Sequence, residues 1–69
     1  MVAVLTGEEI AQARESLGLT QEELATVMGY GSKARVSELE RGRRQPSPAA
    51  SRLLEAYLAG YRPDDWPSA

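Results

Sequence analysis

The sequence contains no cysteine and no histidine. Lacking cysteine, the chain has no disulfides and no thiolate chemistry, and without either residue it has no usual ligand for zinc or iron. The commonest general base is gone as well. No apolar run approaches the roughly 18 to 20 residues that cross a bilayer. The stretch Met1–Leu5 is too short for a signal peptide and has no basic start. Adjacent carboxylates occur only at Glu8–Glu9, Glu22–Glu23 and Asp64–Asp65. The first two pairs fall in the first turns of predicted helices, where acids complement the helix dipole, so they need no catalytic explanation. There is no glycine-rich phosphate loop of the P-loop kind. These absences predict a protein that is not an enzyme, takes no cofactor, metal or small-molecule ligand, and does not enter a membrane. A cytoplasmic location fits them.

At 69 residues the chain amounts to one domain, with no room for a separate ligand-sensing domain. A domain of this size buries only about 60% of the surface its unfolded chain exposes, so pairing with a second copy would add stability. The net charge of -2 argues against a polyanion as partner, but the distribution of charge reverses that argument. Between Ser32 and Leu54 lie Lys33, Arg35, Arg41, Arg43, Arg44 and Arg52 against only Glu38 and Glu40. Arg14 and Arg62 are the remaining bases, set against eight acids. Local charge, more than the total, decides where a polyanion docks.

Four helices are legible. Thr6-Gly7-Glu8-Glu9 is a capping box, and Ile10, Ala13 and Leu17 follow as one apolar stripe that Gly18 ends. Thr20-Gln21-Glu22-Glu23 is a second capping box, opening a helix with Leu24, Ala25 and Met28 inward and Gly29 at its end. Gly29-Tyr30-Gly31 forms a turn, with Gly29 supplying positive φ. Ser32 is the expected N-cap of a third helix that turns Val36 and Leu39 inward and ends at Gly42. Ser47 caps a fourth, with Pro48 in its first turn, an apolar side of Leu53, Leu54, Tyr57 and Leu58, and Gly60 after it. The pattern predicts an all-α domain over residues 1–60 and an extended C-terminal tail over residues 61–69, with at most a short extra turn.

The stretch from Leu19 to Gly29 (Leu-Thr-Gln-Glu-Glu-Leu-Ala-Thr-Val-Met-Gly), joined to Val36-Ser-Glu-Leu-Glu-Arg-Gly-Arg-Arg-Gln-Pro46, resembles the Cro/C1-type helix-turn-helix regulators of phages and bacteria, the xenobiotic-response-element-like group. The resemblance covers about residues 7 to 59. It implies a small four-helix, lambda-repressor-like fold whose third helix enters a major groove about 12 Å wide. It further implies a transcriptional regulator, most simply a repressor or autorepressor, bound to double-stranded DNA. One helix reads few base pairs among about 10⁶–10⁹ competing sites, so a homodimer on an inverted repeat is expected.

The resemblance also implies roles for particular residues. Ser32, Lys33, Ala34, Arg35, Ser37 and Glu38 become candidates for base contact. Lys33 suits guanine O6/N7, Ala34 a thymine methyl and Glu38 a cytosine amine. Lys33 and Arg35 equally suit phosphates, and Glu38 a solvated acid or an orienting partner for Arg35. Thr20, Gln21, Tyr30, Arg41, Arg43 and Arg44 become candidates for phosphate contact. Tyr30 stands where the family usually has a small aliphatic, and packing on the core is its simpler role. Arg14 and Glu40 match a structural ion pair, with DNA contact by Arg14 the alternative. The turn between Gly29 and Val36 carries one residue more than the family's usual spacing; Gly31 is the expected accommodation, and the register of residues 31–35 shifts accordingly. Dimer contact is expected around Tyr57, Leu58, Tyr61 and Trp66, unless Trp66 folds back over the core. A module of the same fold that holds a protein partner is the alternative function.

Overall fold

A computed structural model describes residues 5–67. Most of the N-terminal stretch considered as a leader, and the last two residues of the tail, lie outside these described residues. The chain forms four helices: α1 (Gly7–Ser16), α2 (Gln21–Met28), α3 (Lys33–Glu40) and α4 (Pro48–Leu58). No strand occurs among the described residues.

The caps explain where three of the helices begin. At α1 the Thr6 hydroxyl accepts from the Glu9 N–H at 3.1 Å, and the Glu9 carboxylate accepts from the Thr6 N–H at 2.8 Å. At α2 the Thr20 hydroxyl and Glu23 repeat the exchange at 3.1 and 2.9 Å. Each box satisfies two N–H groups that the helix itself leaves without partners. At α4 the Ser47 hydroxyl accepts from the Ala50 N–H at 3.1 Å, and Pro48 opens the first turn. The start of α3 differs from expectation. Ser32 occupies the N-cap position in extended backbone, but its hydroxyl makes no capping bond.

One core holds the helices together. Ile10, Leu19, Leu24, Ala25, Val27, Val36, Leu39, Leu54 and Tyr57 form it. α3 packs against both α1 and α2, while α4 packs against α1. In α2 the third buried residue is Val27 rather than Met28, which is only half-buried. In α4 the deepest side chains are Ser51, Leu54 and Tyr57, whereas Leu58 is half exposed. Buried Ser51 accepts from the Leu5 N–H at 3.3 Å, so a polar side chain holds the segment leading into α1. The Tyr57 hydroxyl donates to the Val27 carbonyl at 2.8 Å, tying α4 to the end of α2.

Two glycines have specific duties. A Cβ on Gly7 would lie 2.6 Å from the carbonyl oxygens of both Leu39 and Glu40, so the start of α1 meets the end of α3 backbone to backbone. Gly29 carries the turn, with φ of 80°. Gly31 is not in the left-handed region. Gly29 supplies the positive φ of the turn, and Ser32 follows in extended backbone.

Over residues 61–67 the tail is not extended. Arg62 donates to the carbonyls of Tyr57 and Tyr61 at 2.7 and 2.8 Å, satisfying the C-terminal end of α4. Its guanidinium lies 4.3 Å from the centroid of the Trp66 ring. Trp66 in turn meets Tyr57 edge-to-face, with centroids 5.1 Å apart. Tyr57 and Trp66 are thus taken up by the fold; of the four residues proposed for dimer contact, Leu58 and Tyr61 are the exposed ones, at 50% and 55%, with the Tyr61 ring stacked on Tyr57 at 6.0 Å between centroids.

Candidate nucleic-acid interface

Val36 and Leu39 are buried, at 0% and 4% exposure, and they fix the rotation of α3. At roughly 100° per residue, Ala34, Glu38 and Arg41 then lie on the opposite side. Lys33 and Arg35 fall on the two flanks. Lys33 faces the start of α2: it lines one shallow depression with Arg14, Thr20, Gln21 and Glu22. Arg35 leans the other way, its guanidinium carbon 5.4 Å from the centroid of the Tyr30 ring. Ser32, Lys33, Ala34 and Arg35 are exposed, and Ser37 and Glu38 are half-buried. Arg41, Arg43 and Arg44 are all exposed where the chain leaves α3. Among the described residues, Lys33, Arg41 and Arg43 have no ion-pair partner.

The inner side of α3 is held by a polar cluster. Arg14 Nε donates to Glu40 at 2.6 Å and a terminal nitrogen donates to its other oxygen at 3.3 Å. The remaining nitrogen of Arg14 donates to the Leu19 carbonyl at 3.0 Å. Gln21 Nε2 completes the cluster by donating to Glu40 at 3.0 Å. Hydrogen bonding to Glu40 raises the Arg14 pKa further above its already high ordinary value. α1, the start of α2 and the end of α3 therefore meet at one carboxylate. The side chains of Arg14 and Glu40 are only 17% and 10% exposed, so this pair is largely withdrawn from water.

The structure redistributes several of the residues singled out from sequence. The Gln21 amide is committed to Glu40, and the Thr20 hydroxyl to its cap. What α2 leaves toward solvent at its start is backbone N–H and the helix dipole, which suit an anion. Tyr30 is half-buried against the core cluster, and burial raises its hydroxyl pKa. Arg44 is not isolated: its Nε donates to Glu38 at 3.3 Å, with both side chains about half exposed. Sequence reasoning missed this pair and the Gln21–Glu40 bond. A signal for the first was present in the opposite charges of Glu38 and Arg44; none in the local pattern points to the second.

Among the described residues, no group of three or more histidine, cysteine or acidic side chains is placed to hold a metal ion. No helix among them is long and apolar enough to cross a membrane. The combination of a capped α2, a short glycine turn and an α3 whose outer side is free of packing defines a helix-turn-helix domain. The helix-turn-helix family profile matches residues 10–66, most of the chain, and the protein belongs to that family, in its Cro/C1-type branch. It is a DNA-binding helix-turn-helix regulator. No curated protein and no solved structure gives a significant match to the chain.

Proposed function

We propose that the chain is a sequence-specific repressor, or autorepressor, that reads an inverted-repeat operator as a homodimer with α3 in the major groove. The observation that carries this reading is the division of labour on α3. Val36, Leu39 and Glu40 face inward, while Ala34, Glu38 and Arg41 keep the outer side, with the exposed Lys33 on its flank toward α2. In this reading Lys33, Ala34 and Glu38 face base edges, with Ser32, Arg35 and Ser37 at the margins. Arg41 and Arg43 clamp phosphates, with Arg44 available once it leaves Glu38, and the start of α2 meets the backbone beside Lys33. Arg14 serves the fold. Leu58 and Tyr61, the large exposed apolar side chains among the described residues, are the natural centre of a dimer contact.

The test is a footprint and a gel shift on the promoter upstream of the chain's own gene. Two protected half-sites about one turn, or 34 Å, apart are expected. Affinity should fall with salt by about 0.9 in log–log slope for each phosphate neutralised. No shift on any such duplex at low salt sinks the DNA-reading claim and favours a protein partner for the same fold.

A further inference from the structure

Tyr30 is unusual in what holds it. Its N–H donates to the Ala25 carbonyl at 2.8 Å, fixing the backbone of the turn to α2. Its ring packs against the core cluster. On one side it shares a depression with Met28, Ala50 and Leu53. Arg35 lies over the ring, 5.4 Å from its centroid. The backbone of Tyr30 is tied to α2 and its ring is packed on the core, so Arg35 lies over a ring held from within the fold. Arg35 itself is exposed and has no carboxylate partner among the described residues.

We infer that Tyr30 is a positioning residue for DNA reading: its ring holds the Arg35 guanidinium at the flank of α3, ready for a guanine edge or a phosphate. This inference rests on the function proposed above. A planar guanidinium stacked on an aromatic face keeps its N–H edges free, so stacking and bidentate hydrogen bonding are compatible. A long arginine side chain loses much rotamer freedom when it binds, and a ring that has already narrowed that freedom lowers the loss. Tyr30 directly follows the C-cap Gly29, so its place beside α3 is set by the end of α2. A small aliphatic there would fill the core contact and leave Arg35 unguided.

The experiment uses the full chain and the duplexes it recovers from a randomised library. Tyr30→Leu keeps an apolar contact and removes the platform. Its affinity is expected to fall by about two- to five-fold, the size of an exposed cation–π contact. It should also flatten base preference, or phosphate-dependent affinity, at the same positions that Arg35→Ala affects. Tyr30→Phe should behave as the wild type, and Tyr30→Leu/Arg35→Ala should be no worse than Arg35→Ala alone. Independently of any variant, the side-chain protons of Arg35 should show upfield ring-current shifts in the free protein. Additive losses in the double variant, or absent ring-current shifts, overturn the inference. So does Tyr30→Phe as weak as Tyr30→Leu, which instead makes the hydroxyl the contact. A wild-type chain that recovers no duplex overturns the proposed function first and this inference with it.

Discussion

Glu38 and Glu40 stand two residues apart on α3, and each is paired with an arginine. Glu40 meets Arg14 at 2.6 Å with side chains 10% and 17% exposed; Glu38 meets Arg44 at 3.3 Å with side chains 46% and 53% exposed. Two residues along a helix correspond to a rotation of roughly 200°, so one carboxylate faces the frame and the other faces outward. The same chemistry thus does opposite things. A withdrawn pair specifies how helices meet, because neither charge can be left there alone. A half-exposed pair contributes little to stability and leaves its members free to exchange partners. A helix that must be held rigidly and yet read a surface can carry both kinds of carboxylate, provided that the core fixes its rotation. Val36 and Leu39 do this.

The largest effect should come from breaking the withdrawn pair. Arg14→Ala leaves Glu40 with Gln21 as its one side-chain donor and deprives the Leu19 carbonyl of its arginine. Stranding a buried charge costs about 3–5 kcal/mol, a large share of the stability of a domain this small. Denaturant unfolding should show it. The double replacement Arg14→Met/Glu40→Leu should recover part of the loss, because no charge is then left unpaired. A single-variant loss no greater than that of an exposed pair would break the comparison.

A second test asks whether the frame, away from α3, can be weakened without touching the reading surface. Tyr57→Phe keeps the ring that meets Trp66 and removes the hydroxyl that donates to the Val27 carbonyl at 2.8 Å. A buried acceptor left without its donor costs about 1–3 kcal/mol. Burial also pushes the Tyr57 hydroxyl above its ordinary pKa of 10.0. The folded chain therefore resists ionisation that the unfolded chain accepts. This contribution to stability is fully present below a pH of about 10 and is lost as pH rises through the higher folded value. Urea titrations across the alkaline range should show a shallower loss in Tyr57→Phe than in the wild type, with base preference at neutral pH unchanged. Parallel alkaline profiles would assign that sensitivity elsewhere, the half-buried Tyr30 being the other tyrosine whose pKa burial raises.

Much of the frame was legible in the sequence because capping is local chemistry. Thr6 with Glu9, Thr20 with Glu23, and Ser47 with Pro48 mark helix starts within four residues, and the structure begins α1, α2 and α4 there. What failed was long-range. Periodicity alone does not separate Val27 from Met28, since they lie three and four residues from Leu24, each about one turn away; packing buries Val27 and leaves Met28 half-buried. Ser51 is polar and carries no core signal in the sequence, yet the bond it accepts from the Leu5 N–H makes its burial possible. Trp66 returns to the core because Arg62 ties the tail to the end of α4, a contact without a repeat. On α3 the inward residues were legible from Val36 and Leu39. The partners of the outward ones were not, because Arg44 reaches Glu38 from a loop whose path only the fold decides. The pairing of Arg14 with Glu40 came from family resemblance, not from spacing, and nothing in the sequence placed Gln21 on the same carboxylate.

The smallest effect on stability, and the sharpest on reading, is expected at the outward pair. Glu38→Ala and Arg44→Ala should each change unfolding free energy by less than about 1 kcal/mol. On DNA they should diverge. Glu38→Ala should relax preference at one base pair by about 1–3 kcal/mol if the carboxylate accepts from a cytosine amine. If Arg44 neutralises a phosphate, as proposed, Arg44→Ala lowers the log–log salt slope by about 0.9. It also leaves the Glu38 carboxylate without its nearest positive charge, facing a polyanion. The double variant Glu38→Ala/Arg44→Ala lacks that repulsion and should bind non-cognate duplex more tightly than Arg44→Ala alone. Measured at two salt concentrations, that reversal should shrink as salt screens the exposed carboxylate. A double variant weaker than Arg44→Ala on every duplex would mean that Glu38 does not face the nucleic acid. The contrast between the two carboxylates of α3 would then reduce to a difference in burial alone.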